Sequence, residues 1–472
     1  MSIDFHNYVL LSQALSYNTR KYRCENSLSK RTSFLNGFAL LLNGSNVCTV
    51  VYPWLKEKVI LIARNEKLEN VDRYYFDQFF SLIRVYSSMF WNVDRTDNQN
   101  DTFDDIKDIL INLVNNFNQE KIMKRLFDYL FDDAVKQLLQ VTKIDDNEKQ
   151  QIINSVNTNV GIYIKNKSTT EYACLMKENM TVENYISFLL ARVERLIELR
   201  DIIKKSRKNP LHSDIRKLQN NALLLYESTI FKILIVKDPR VYYYIDKISA
   251  HMRALNGLLK CFEQDQARYA YIYREIKWRI INPHERCVLL NNGPTNVFRM
   301  LWSNLFPDID PEETVNNVLA PNLNKQYDIS KTLDVCVHCE LLLIDYLLKN
   351  QINEIEGQLD VEIGISKMSC YLCSLYIAEL NKEHKRIFCL SDSTHGKVYQ
   401  KWDFIPDEQQ HLKQNVERVV IEQIEKYLND IQLDQKQSGV KHIGDSDTLD
   451  IVGEINDVDT KYVLSLMKKD QL

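Results

Sequence analysis

Between about Asp72 and Asp310, apolar residues return at three- and four-residue intervals, the spacing of a helix with one buried stripe. The stretches 74–90 (YYFDQFFSLIRVYSSMF), 106–117 (IKDILINLVNNF) and 184–205 (NYISFLLARVERLIELRDIIKK) carry the pattern most clearly. Polar breaks fall near 94–105, 143–148, 208–213 and 282–285, where Asn, Asp, Ser, Pro or Lys cluster. No fixed internal period recurs, so a helical bundle is expected rather than a solenoid.

The pattern changes at both ends of this block. Upstream, residues 33–42 (SFLNGFALLL) predict a short buried helix, and the β-branched runs 48–52 (CTVVY) and 59–63 (VILIA) predict a hairpin. Downstream, residues 333–337 supply at most one strand, and Leu341 to Leu348 is apolar nearly all round, as in a helix buried on most sides. Val361, Ile363 and Ile365 then alternate at strand spacing, 371–380 reads as a second apolar helix, and 386–390 (RIFCL) as a second strand. Helix, strand, helix and strand within so short a span predict an α/β layer with a parallel sheet. A loop follows at 391–396 and a long helix at roughly 407–431, then a polar tail from Asp434 and a final segment, 451–472, that is helical or loosely attached.

Composition narrows the class. Hydrophobic residues make up 45% and charged residues 26% of 472, enough for a sizeable core, and 11 Gly and 9 Pro leave little punctuation between helices. The net charge of −4 gives no general support to a polyanionic partner. Basic clusters at Lys204, Lys205, Arg207 and Lys208, and at Lys382, Lys385 and Arg386, read first as cations complementing helix C-termini, the second being the better placed to guide a phosphate. Ten dispersed cysteines in so long a chain are no disulfide framework. The N-terminus lacks the basic-then-apolar order of a signal peptide, and no apolar run reaches the roughly 20 residues a membrane span needs. No membrane partner is expected, and an intracellular, by default cytoplasmic, location is.

The most specific chemistry lies between Val335 and Ser374. His338-x-Glu340 is followed, 30 residues after the glutamate, by Cys370-x-x-Cys373. One histidine and two cysteines are an accepted ligand set for a catalytic zinc with an open fourth position. The two cysteines fall three apart at a helix start, whose positive end favours thiolates. Glu340, two residues beyond His338, points away from it on an ideal helix, so the pair must sit at the first turn, with Glu340 beside the open position as a proton carrier. Two alternatives stand beside this reading. Cys336 or Cys339 completes a closed structural zinc site, or the cysteines simply pack.

His-x-Glu followed by Cys-x-x-Cys is the signature of zinc nucleobase deaminases. The segment HCELLLI…ISKMSCYLC…STHGKVYQKW resembles a largely fungal branch of the cytidine-deaminase-like superfamily, over about residues 332–404. One departure is Ser369, where the superfamily usually has proline before the first cysteine. The resemblance implies a three-layer α/β/α sandwich in which His338, Cys370 and Cys373 hold Zn2+ and Glu340 shuttles protons. It implies a zinc-dependent hydrolase of cyclic-amidine C–N bonds, acting on a cytosine- or adenine-type base of a nucleoside, a nucleotide or a single-stranded nucleic acid, with ammonia as the leaving group. It further implies substrate contacts from Asn65, at the end of the hairpin, and His395. The superfamily often assembles, so an oligomer is possible.

That fold needs a helix and a hairpin ahead of the His-x-Glu helix, and the nearest pair is the distant one at 33–66. The expected organisation is therefore a helical lead at 1–32, a first part of the deaminase fold at 33–66, a large all-α insertion or companion domain at 67–330, a zinc-binding core at 331–433 and a tail at 434–472. The alternative function is a non-catalytic helical scaffold carrying a structural zinc.

Overall fold

The computed structural model describes residues 5–15, 30–44, 47–91, 98–155, 180–206, 211–234, 239–264, 275–290, 292–321, 323, 332–352, 360–383, 387–390, 394–406 and 410–437. The chain is mostly helical with small mixed sheets, and it divides into two compact units. The first draws on residues 1–95 and 260–442; the second is built from 96–259.

In chain order the first unit contains α1 (Phe5–Leu15), α2 (Lys30–Leu41), β1 (Thr49–Trp54), β2 (Val59–Arg64), α3 (Asn70–Trp91), β3 (Lys277–Ile281), β4 (Glu285–Leu289), α4 (Pro294–Leu305) and β5 (Thr332–Val337). It continues with α5 (Cys339–Lys349), β6 (Asp360–Glu362), β7 (Gly364–Ile365), α6 (Tyr371–Glu383), β8 (Ile387–Cys389), β9 (Trp402–Asp403) and α7 (Gln410–Gln437). The β1–β2 hairpin forms through a short 3-10 turn ending at Lys58, whose φ of 51° lets the chain reverse. Val50 faces Ala63 and Tyr52 faces Leu61 across the antiparallel pair.

The hairpin is the centre of a four-stranded sheet ordered β3-β2-β1-β7. Two of its pairings join segments far apart in sequence. Val50 pairs with Ile365 in β7, and β3 runs parallel to β2 from Val59↔Lys277 to Ala63↔Ile281. Val50, Tyr52, Val59, Leu61 and Ala63 share one core with the helix residues Leu341, Leu343 and Leu347 of α5 and Tyr371, Leu372 and Tyr376 of α6. Val51, Ile60 and Ile62 are equally buried on the alternate positions, so both faces of the hairpin are covered. Arg64 is buried too, its Nη1 paired with Asp72 of α3 at 2.9 Å.

Close approach fixes α2 against β7. A Cβ added at Gly364 would lie 2.3 Å from the Leu35 carbonyl oxygen, so no other residue fits without moving backbone. Asn36 Oδ1 accepts the Ile365 N–H at 2.8 Å, and Ser366 Oγ accepts the Thr49 N–H at 2.9 Å.

Two smaller sheets complete the unit. In β4-β5-β9, β4 is antiparallel to β5 and β9 parallel to it; in the other, β6 and β8 are parallel. The alternation at Val361, Ile363 and Ile365 therefore does not make one strand. Val361 belongs to β6 and pairs with Phe388, Ile365 belongs to β7 and pairs with Val50, and Ile363 lies between them. The expected parallel pairing of the Val361 and 386–390 runs is present, but only as the two-stranded β6-β8 sheet; the other two sheets are mixed.

Two strands interrupt what the periodicity reads as continuous helix. Residues 277–281 (KWRII) and 285–289 (ERCVL) are strands, because each finds a partner ladder, in β2 and β5 respectively. Their charged residues, Lys277, Arg279, Glu285 and Arg286, hide the strand signal. Residues 67–95 and 260–330 group with the first unit. The polar stretch 98–105, read as a break, is part of a helix.

The second unit, taken by itself, is helical among the described residues, with helices at Asn98–Phe117, Gln119–Leu126, Tyr129–Val141, Asp146–Ser155, Val182–Lys205, His212–Glu227 and Thr229–Leu234, and most of Pro239–Gln264. Leu189, Val193, Leu196 and Leu199 of the fourth-last of these meet Leu218, Ala222 and Leu225 of the next in a shared core. Thr181 caps the Val182 helix by accepting the Asn184 N–H at 3.2 Å. Among the described residues no helix is long and apolar enough to cross a membrane. The polar tail expected from Asp434 begins inside α7, which runs to Gln437; its remainder, the expected final segment and the loop positions 391–393 lie outside the described residues.

Candidate metal and active site

His338 is the residue before α5, with extended backbone (φ −67°, ψ 150°), and the helix starts at Cys339. That break resolves the spacing difficulty: His338 leaves the strand end in one direction while Glu340 projects from the first helical turn. Asn65 pins the junction. Its Oδ1 accepts the Cys339 N–H at 2.8 Å, and its own N–H donates to the Cys48 carbonyl at 3.3 Å. One side chain at the end of β2 thus caps a helix 274 residues later.

Cys370 stands in the equivalent position ahead of α6. Its Sγ accepts the Cys373 N–H at 3.3 Å, the bond an N-cap oxygen would make, and the helix dipole favours a negative sulfur there. His338 Nδ1 lies 3.6 Å from Cys370 Sγ and 3.4 Å from Cys373 Sγ. All three side chains are buried, and their ligand atoms fall within 4.8 Å of one another. Tetrahedral zinc with ordinary Zn–S and Zn–N lengths would put N and S about 3.6 Å apart. The donor set and spacing therefore fit a zinc ion. Cys336 and Cys339, which could have closed the site, are not in this group; Cys339 instead approaches Cys48 and Glu340.

The charges follow from burial and proximity. Burial disfavours ionising Cys370, but the Cys373 thiol, the neighbouring imidazolium of His338 and the Cys373 N–H win, and the Cys370 thiol is held well below its ordinary range. His338 is the mirror case: burial works against its cation, yet the Cys370 thiolate raises it to about 9. Cys373 is pushed well above the usual thiol range by burial and the adjacent Cys370 thiolate. Glu340 is buried and its carboxyl is raised, chiefly by desolvation, with the His338 cation partly opposing. Its Oε2 accepts from Cys339 Sγ at 3.5 Å and from Cys373 Sγ at 3.8 Å.

A cavity of about 810 Å³ opens above these groups, lined by His338, Glu340, Cys370, Cys48, Asn65 and His395 among others. Both expected substrate-contacting residues, Asn65 and His395, thus lie on its wall. The His395 loop is tied to the cysteine loop: the Ser369 carbonyl accepts from Thr394 Oγ1 at 2.7 Å and from the His395 N–H at 3.3 Å. His395 Nδ1 accepts the Lys397 N–H at 3.0 Å, which puts the proton of the neutral ring on Nε2. Burial lowers the His395 pKa and keeps the ring neutral. Of the two basic clusters, Lys204 is paired with Asp132 at 2.6 Å and Lys382 with Glu379 at 2.5 Å; Arg207, Lys208, Lys385 and Arg386 lie outside the described residues.

Three contributors escaped sequence reasoning. The fully buried Trp402 donates its indole N–H to Cys373 Sγ at 3.3 Å. Its neighbour Asp403 receives both Arg286 Nε (2.5 Å) and Nη2 (2.8 Å), with His6 Nε2 at 3.3 Å. Those partners overcome burial and lower Asp403 to about 2, tying β9 to β4 and α1. Tyr399, which also lines the cavity, stands edge-on to His395 at 5.5 Å and 6.0 Å from His338. The only sequence signal for them was position, since all three fall in the 398–404 stretch just after the His-Gly loop.

Residues 337–407 match a family model described as OTT_1508-like deaminase. The chain thus carries a deaminase-family domain in its C-terminal part, and within it a buried His/Cys/Cys group typical of a zinc deaminase site. No curated protein and no solved structure matches the chain.

Proposed function

We propose that the protein is a zinc-dependent hydrolytic deaminase of a cytosine- or adenine-type base, carried on a nucleotide or a nucleic acid. The observation that carries the proposal is the convergence of His338, Cys370 and Cys373 on one buried point with Glu340 beside it, under an open cavity and inside a deaminase-family match. His338 Nδ1 and the two sulfurs hold the metal, and Zn2+ held there supplies the Lewis acidity that makes water a nucleophile near neutral pH. Glu340 accepts the proton from water on its carboxylate and returns it to the base, so that a C–N bond breaks, a C=O forms and ammonia leaves. A buried carboxyl with a raised pKa suits a group that must both take and give a proton.

In this reading Asn65, its Oδ1 committed to α5, offers its amide NH2 to the substrate, and His395 offers Nε2–H. Trp402 steadies the Cys373 sulfur. The core adopts the deaminase-like α/β/α sandwich, with the second unit inserted between β2 and β3; burial on both faces of the hairpin and the β1–β7 pairing support this arrangement. Kinship with the largely fungal branch rests on the resemblance of the 338–402 segment.

The test is ammonia release by zinc-loaded protein across a panel of nucleosides, nucleotides, and single-stranded RNA and DNA. Zinc-dependent release from at least one cytosine- or adenine-containing member is expected. No release from any member, by protein carrying one zinc per chain, would contradict the proposal.

A further inference from the structure

Glu340 faces a second set of donors besides the one already described. Cys48 Sγ, Cys339 Sγ and a Glu340 carboxylate oxygen lie within 4.8 Å of one another. Two thiols and a carboxylate are ordinary zinc ligands, and tetrahedral zinc would separate a sulfur from a carboxylate oxygen by about 3.6 Å. Cys339 Sγ and Glu340 Oε2 stand 3.5 Å apart.

Asn65 builds the spacing. It holds the Cys48 carbonyl with its N–H and the Cys339 N–H with its Oδ1, so one residue fixes both cysteine backbones. Cys339 and Glu340 are buried, whereas Cys48 is half-buried and lines the cavity. The fourth coordination position is therefore on the cavity side, from which water can complete the tetrahedron.

We propose that Cys48, Cys339 and Glu340 form a second, weaker zinc site whose filling withdraws Glu340 from proton transfer. One carboxylate serves both groups, because Glu340 Oε2 is 3.5 Å from Cys339 Sγ and 3.8 Å from Cys373 Sγ. Binding displaces the protons of both thiols to solvent and engages the carboxylate as a ligand. The first zinc would activate the protein and the second would inhibit it. The inhibitory consequence rests on the proposed function; the metal site itself does not.

The experiment is a metal count on the full chain, stripped and titrated with zinc and, separately, with cobalt(II). Wild type should bind two ions per chain, and the sulfur-to-cobalt charge-transfer absorbance should roughly double from the first equivalent to the second as bound thiolates rise from two to four. Cys48→Ser and Cys339→Ser should each bind one, with far-ultraviolet circular dichroism matching wild type in at least one of them. His338→Ala should keep the Cys48 site. Wild-type protein that binds a single ion which Cys48→Ser retains, or a folded Cys48→Ser protein that still binds two, would overturn the proposal. Failure of the proposed function has a different signature: an ion count of one that Cys48→Ser abolishes and His338→Ala leaves intact. With a substrate in hand, the second zinc equivalent should inhibit wild type and leave Cys48→Ser at its own one-equivalent rate.

Discussion

Trp402→Phe separates metal support from packing. The indole N–H donates to Cys373 Sγ at 3.3 Å, and phenylalanine fills most of the same space without a donor. Hydrogen-bonding partners of metal ligands change affinity by about 10–100-fold, or about 1.4–2.7 kcal/mol. Trp402 also packs on Phe404, with ring centroids 4.8 Å apart, and on Phe5 at 5.9 Å. Losing ring volume there should cost about 1–3 kcal/mol whether or not zinc is bound. The two effects are read separately. A competition titration against a chromogenic chelator gives the zinc Kd, and melting with and without zinc gives the stability. At fixed zinc, a tenfold weaker Kd removes about 1.4 kcal/mol of the metal's stabilisation. The account predicts that the zinc-induced rise in melting temperature shrinks in the variant. A Kd within about threefold of wild type, with equal melting losses in both states, would reduce Trp402 to a packing residue.

Zinc uptake should tighten with pH. In the metal-free protein His338 is protonated below about pH 9 and Cys373 is held as a thiol, so binding releases a proton from each. Calorimetry in buffers of different ionisation enthalpy should find about two protons released near pH 7, falling toward one above pH 9; release of none would contradict the assigned charges. Asp403 has a folded pKa lowered to about 2, below its unfolded value, so its stabilisation is complete above about pH 4 and is lost as pH falls through about 2. That contribution is about 2 kcal/mol at neutral pH, and Asp403→Asn should lose it at pH 7 while converging on wild type near pH 2 in chemical denaturation. Gly364→Ala drives a methyl to 2.3 Å from the Leu35 carbonyl oxygen and should cost at least about 1–3 kcal/mol by the same measurement. An unchanged midpoint would mean that α2 does not lie against β7 as described.

The parts of the site that were legible in the sequence are those set by short spacings. His338-x-Glu340 and Cys370-x-x-Cys373 declare their chemistry because ligand geometry constrains residues two or three apart at helix starts. The hairpin at 49–64 was legible from β-branched runs, but its pairing with Ile365 was not readable from any local pattern, since that register is decided by packing across more than 300 residues. β3 and β4 were hidden for a related reason. Their exposed positions carry Lys, Arg and Glu, and only the ladder partners in β2 and β5 make strands of them. The alternation at 361–365 was real, but two different sheets divide it. Trp402 and Tyr399 had only their place after the His-Gly loop and Cys48 had no signature, because a lone tryptophan, tyrosine or cysteine acquires its role only from what folding sets beside it.

The central claim is that Glu340 moves protons at a zinc site it does not need to assemble. Its most direct test compares wild type with Glu340→Ala, each loaded to one zinc per chain, for ammonia release from whichever panel substrate wild type deaminates. The account predicts that the variant keeps the His338, Cys370 and Cys373 zinc while its rate falls by about 10²–10⁴-fold. Equal ammonia release by the two proteins would contradict it.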